Sequence, residues 1–223
     1  MKIEKLEIAT ADIGKQLHFY RDLLGLEILE QEEMSFKIAM GFSVLKLRQD
    51  NNFTPYHIAI HIPDKQEGIA LTWLKSRVPI QKNNLDEIVD FSAWDAKSVY
   101  FYDEDKNIME FISRRNFNKP ASEVFSGKSL LGIAEIGLAT KDIEEKFNFL
   151  HRQCGLEVFD GNFEKFCAIG DHQGLLIAIN KKLKDWFPTG DEAFLSDFRI
   201  EFSHKGASYD LDFINDCLKL AKK

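Results

Sequence analysis

The chain has 223 residues, 44% of them hydrophobic, enough for one large or two small domains with a core that needs no staples. Its 29 Lys and Arg against 36 Asp and Glu give a formal charge of −7 with no segregated basic patch, which argues against nucleic acid or an anionic membrane as partner. Three cysteines, Cys154, Cys167 and Cys217, form no CxxC pair, and no stretch has the length of a membrane span or the apolar core of a signal peptide, so a disulfide framework and a zinc ribbon are excluded and a cytoplasmic setting is expected.

Residues 3–10 alternate as a strand does, with Leu6 and Ile8 on one face and Lys5 and Glu7 on the other. Asp12 then reads as a helix N-cap, Ile13, Leu17, Tyr20 and Leu24 as one helical stripe, and Gly25 as its left-handed stop. Three short strands are predicted over 27–33, 35–41 and 42–48. The same order follows: a strand over 56–64, with Ile58, Ile60 and Ile62 on one face and His57 and His61 on the other, a helix over 66–76, and strands over 86–91, 98–105 and 107–114. Residues 116–132, rich in Asn, Pro, Ser and Gly, read as a connection pinned by Phe117 and Phe125.

From residue 133 the opening returns. Ala9-Thr10-Ala11-Asp12-Ile13 matches Ala139-Thr140-Lys141-Asp142-Ile143, and Gly25-Leu26-Glu27 matches Gly155-Leu156-Glu157 at the same spacing, the mark of a duplicated unit. This third unit ends near 174–180. A strand over 197–204 and a helix over 208–221 come next, so the last unit is expected to be truncated. The expected domains are 1–117, holding two complete units, and 131–223, holding the incomplete pair, joined by a linker over 118–130.

The pattern D-x6-FY-x3-LGL at 12–26, with H-I-A-I at 57–60 and Y-F-x-D-x-D-x-N-x-x-E at 100–110, resembles the vicinal oxygen chelate superfamily of glyoxalases, ring-cleavage dioxygenases and bleomycin resistance proteins. The resemblance implies an α+β fold in which paired βαβββ units form a cupped mixed sheet, helices outside and the site inside the cup. It also implies a small-molecule ligand, and a divalent transition metal whose ligands come from the first and last strands of each unit.

His57 and Glu110 stand at two such positions, and a His nitrogen with a carboxylate oxygen suits iron, manganese, nickel or zinc. Lys5 and Lys46 stand at the corresponding positions of the first unit, where an ammonium has no lone pair to give, leaving Glu7 as the substitute ligand. Two readings stay open. In one, a metal held by His57, Glu110 and Glu7 polarises vicinal oxygens of a substrate, as in a glyoxalase-type lyase or isomerase or a ring-cleavage dioxygenase. In the other, the cup holds no metal and Lys46 or Lys5 pairs with Glu110, lysine and carboxylate binding the ligand or moving a proton. Lys5, Glu7, His61, Trp94 and Tyr100 are the expected ligand-binding side chains. A scaffold without ligand is the blander alternative. In the second half Glu135 occupies a first-strand position, but its partner positions fall near Ala178 and at Phe198 or Arg199, so that half reads as scaffold or interface, its incomplete sheet edge to be covered by the first domain, the linker or a second chain in a homodimer. The metal, the substrate and the reaction are not specified by these residues.

Overall fold

Asp12 opens the first helix as its residue type predicts, accepting from the backbone N–H of Lys15 at 3.0 Å, and Asp142 does the same for Glu145 at 2.9 Å in the repeat. The computed structural model describes every residue except Ala121. The first unit comprises β1 (Lys2–Thr10), α1 (Ile13–Leu17), which runs on as a π turn over His18–Leu23, β2 (Ile28–Gln31), β3 (Ser35–Met40) and β4 (Ser43–Gln49). The second comprises β5 (His57–Ile62), α2 (Glu67–Lys75), β6 (Ile80–Gln81), β7 (Val89–Phe91), β8 (Ala96–Tyr102) and β9 (Ile108–Arg114). The third has β10 (Gly132–Thr140), α3 (Ile143–Cys154), β11 (Val158–Gly161), β12 (Phe166–Asp171) and β13 (Gly174–Asn180).

The helix expected over 208–221 is replaced by strands. The fourth unit is a meander of β14 (Phe198–His204), β15 (Ala207–Ile214) and β16 (Cys217–Lys222). Its burial has a period of two: Tyr209, Leu211 and Phe213 are buried, while Asp210 and Asp212 between them are not. Lys205 and Gly206 lie at φ 48° and 78°, and Asn215 and Asp216 at 51° and 63°. Two successive left-handed residues make the two-residue turn whose twist matches that of paired strands.

Pairing between units decides where a site can form. β1 is parallel to β4 and antiparallel to β14; β5 is parallel to β9 and antiparallel to β10; β10 is parallel to β13. The first unit therefore sits beside the fourth and the second beside the third, the halves meeting where Ile3 lies opposite Ile133. Each cup takes one unit from either side of the 118–130 connection, a crossing that the expected segments 1–117 and 131–223 do not contain.

The fold is α+β, and its helices share one apolar core with both halves of the sheet. Leu6 and Ile8 of β1, Ile58 and Ile60 of β5, and Ile136 and Leu138 of β10 all belong to it, together with Tyr20, Leu74 and Leu150 from the helical segments. Phe117 stacks on His61 and Phe125 packs on Trp73, so the connection is pinned by its two phenylalanines as expected. Among the described residues no helix is long and apolar enough to cross a membrane.

Candidate functional site

Strand parity sends Ile58, Ile60 and Ile62 into the core, so His57, Ala59 and His61 face the other way. The parallel register of β5 and β9 sets Glu110 beside Ala59. A buried turn sets that register: Asp103 accepts from the backbone of Asp105 and Asn107 and from the Asn107 side chain at 2.7 Å, while Asn107 accepts from the Tyr56 backbone at 2.8 Å. Burial pushes the Asp103 carboxyl up to about 6. On the other side of Ala59 lies Glu135 of β10. The register there slips between Ile133 and Glu135, so two residues of β10 span one step of β5. This bulge aims Glu135 into the same cup as His57 and Glu110.

The cup encloses a cavity of about 310 Å³ with the three polar side chains at its base. His57 Nε2 lies 3.0 Å from Glu110 Oε2, and Ser98 donates to Glu110 Oε1 at 2.5 Å. Arg114, four residues beyond Glu110 on β9, donates to Glu135 Oε1 at 2.6 Å, both side chains almost wholly buried. Burial, then the charge of Glu110, raises the Glu135 carboxyl to about 7 against the opposing pull of Arg114. Burial and the same Glu110 charge hold the Tyr100 phenol well above its ordinary value, so it stays a donor. The walls are Phe91, Trp94, Tyr100, Phe166, Ile177 and Ile179, with Trp186 5.2 Å from the His57 ring and the exposed Phe187 and half-buried Lys184 also lining the cavity.

Of the residues singled out from sequence, His57, Glu110, Trp94 and Tyr100 meet here. The others do not. Lys5 donates to Glu201 at 2.8 Å and Lys46 lies 3.2 Å from Glu7, all on the charged concave face of the first and fourth units. Neither lysine pairs with Glu110, and Glu7 is no third donor beside His57, because β1 and β5 belong to different cups. His61 is fully buried and does not line this cavity: its Nε2 meets the Gln173 carbonyl at 3.1 Å and its ring stacks on Phe117 at 4.2 Å. The third unit is more than scaffold, since Glu135, Phe166, Ile177 and Ile179 build half the pocket. Sequence reasoning missed Arg114, Ser98 and Trp186. The first two share alternate positions with Glu110 and Tyr100 on their strands, a parity signal that was available; Trp186 lies in a connection and carries no such signal.

A metal at the positions implied by the resemblance needs His57 Nε2, a Glu110 oxygen and a third donor around one point. Here His57 and Glu110 bond each other, Glu135 is engaged by Arg114, and Ile177 stands beside Gly137 as Glu110 stands beside Ala59, putting an alkyl group in the fourth place. Among the described residues no group of three or more His, Cys, Asp or Glu side chains is arranged to hold a metal ion. The donor set as folded does not fit one.

No family model matches the chain. The metallothiol transferase FosB of Staphylococcus haemolyticus is 31% identical over 115 residues, covering 48% of this chain and 80% of the relative, and FosB of Staphylococcus epidermidis is 31% identical over the same length and coverage. Two solved structures align with the whole chain: a candidate dioxygenase from Bacillus subtilis, at TM-score 0.65 with 84% of that protein covered, and a glyoxalase I mutant from Zea mays, at 0.58 with 92% covered. Both are 12% identical to this chain and speak for the fold alone. With motifs, fold and sequence relatives in agreement, the chain belongs to the vicinal oxygen chelate superfamily of glyoxalase, bleomycin resistance and dioxygenase proteins.

Proposed function

We propose that the cup of the second and third units binds a small, flat, largely apolar molecule carrying a carbonyl or hydroxyl group, and that His57 with Glu110 moves a proton to or from it. One observation carries this reading: a His–carboxylate pair at 3.0 Å, buried at the base of a cavity whose remaining lining is mostly aromatic and aliphatic, with Glu135, Asp160 and Lys184 the other charged side chains. About 310 Å³ is roughly twice the space that admits benzene, so one ring with short substituents matches it. Such walls offer a ligand oxygen few partners, and the ligand therefore orients with its polar end toward His57 and Tyr100. Ser98 and His57 each take one oxygen of Glu110, which fixes the carboxylate against the imidazole. General acid–base help from one positioned group is typically worth about 10²–10⁴ in rate.

Trp94 and Trp186 line the cavity, so their fluorescence reports occupancy. Titration with substituted phenols and short aryl ketones is expected to quench it, and NMR in heavy water should show exchange of protons next to the carbonyl of a bound ketone. His57→Ala should slow that exchange about 100-fold while ligand binding persists. The reading fails if no probe of either class perturbs the tryptophans, or if His57→Ala exchanges at the wild-type rate.

The relatives' name brings a second reading, metal-dependent thiol transfer. It ranks lower because the pairing of Glu135 with Arg114 leaves His57 and Glu110 without a third donor. The metal content of tag-free protein separates the two.

A further inference from the structure

We propose that Arg114 is a built-in cation that takes the place of a bound metal ion in this cup. The inference concerns how the site is neutralised and does not depend on the proton-transfer reading. Glu110 and Glu135 flank Ala59 on neighbouring strands, with the small alanine side chain between them. Both carboxylates are 2% exposed. Two buried acids in an apolar cup need cationic compensation, since an unpaired buried charge is strongly destabilising. A divalent ion bridging His57, Glu110 and Glu135 would supply it. The chain supplies a guanidinium, which stays charged at any working pH.

The guanidinium is held in place. It lies 5.5 Å from the Trp94 ring and 5.9 Å from the Phe159 ring, within cation–π range of both. Its Nε and Nη1 are buried with no partner, so its hydrogen bonding is only partly satisfied and the feature it supplies in full is charge. By engaging Glu135 it removes the carboxylate that flanks Ala59 opposite Glu110, and His57 and Glu110 bond each other instead. Ile177 adds no donor at the fourth position.

Removing the guanidinium should therefore create a metal site. In Arg114→Met the Glu135 carboxylate is released beside Glu110 and His57, giving one nitrogen and two carboxylate donors with an excess of negative charge. Tag-free full-length protein, dialysed against chelator and then titrated with cobalt(II), distinguishes a built site from surface adsorption by its visible absorption bands. Wild type is expected to take up less than about a tenth of an equivalent, Arg114→Met about one equivalent, and the double variant Arg114→Met with Glu135→Gln to lose it. Circular dichroism checks that each variant is folded. Should the methionine variant not fold, Arg114→Gln carries the same readout. Stoichiometric cobalt uptake by wild type that disappears in His57→Ala would overturn the proposal, and so would a folded Arg114 variant that binds none. Ligand quenching and exchange in His57→Ala decide the proton-transfer reading whichever way cobalt uptake falls in the Arg114 variants, so the two fail separately; wild-type uptake would also count for the metal-dependent reading.

Discussion

His57 and His61 are four residues apart on one face of one strand, yet their surroundings give them different work. His61 is stacked on Phe117, and burial, followed by the charge of Arg114, lowers its pKa to about 3. Because the folded value lies below the ordinary 6.5, its stabilising contribution is complete above pH 6.5 and is lost as pH falls toward 3. Asp103 acts oppositely: its folded value of about 6 lies above 3.8, so its contribution is complete below 3.8 and is lost as pH rises through 6. The two nearly cancel between 3.8 and 6, so His61 must be read by difference. The stability of wild type minus that of His61→Phe, from urea unfolding at stepped pH, should rise with pH across the window from 3 to 6.5, by about 5 kcal/mol in all. In the pocket, Glu110→Gln keeps a group that can bond Ser98 but loses the carboxylate, and proton exchange should fall about 100-fold with ligand quenching retained. His57 and Glu110 were legible because the motif around each is local. Arg114 shares their face by strand parity, but an arginine near a strand end is by default a solvated one, and its burial beside Glu135 is what gives that parity its meaning.

The β14–β16 meander shows where local patterning misleads. Residues 208–221 are dense in apolar side chains, and Phe213, Cys217 and Leu220 fall at spacings that a helix also satisfies. The competing signal was the turn pair Asn215-Asp216, whose residue types tolerate the left-handed region better than most. Asp216 does more than turn the chain: it accepts from the Thr140 hydroxyl at 2.6 Å and lies 3.5 Å from the buried Lys146, tying the hairpin to the third unit. Asp216→Ala should therefore cost about 2–3 kcal/mol, from left-handed strain together with the lost bonds, and Asn215→Val about 1–2 kcal/mol from strain alone; chemical denaturation checks both. The three βαβββ units were read correctly because caps, stripes and stops act within about twenty residues. Which unit lies beside which was not readable, since β5–β10 and β1–β14 pairing joins residues far apart in sequence. That is why Glu135, noticed at its ligand position, had no visible companions.

At the scale of the whole molecule, one core serves both cups and ties cross between them. The Tyr20 hydroxyl donates to Asp103 at 3.0 Å, and the Tyr56 hydroxyl to the Asp197 carbonyl at 2.6 Å. A single cooperative unfolding transition is expected, with tryptophan fluorescence and far-ultraviolet circular dichroism superimposing; two resolved transitions would show that the halves melt apart. The strap after β13 reinforces the expectation. It sets Trp186 over His57, where Gly137 leaves it room, since a Cβ there would lie 2.6 Å from the indole. Farther on, Ser196 is anchored to the Pro55 carbonyl at 2.7 Å. The roof of the cavity is thus part of the segment that stitches the two halves together, and the space beneath it exists only while they are docked. Occupancy and global stability are therefore linked through mass action: a ligand at a hundred times its Kd adds about 2.7 kcal/mol to the folded state, a rise in melting temperature of roughly 5–10 °C. A melting curve is enough to recognise the molecule that belongs in this cup before any reaction is known.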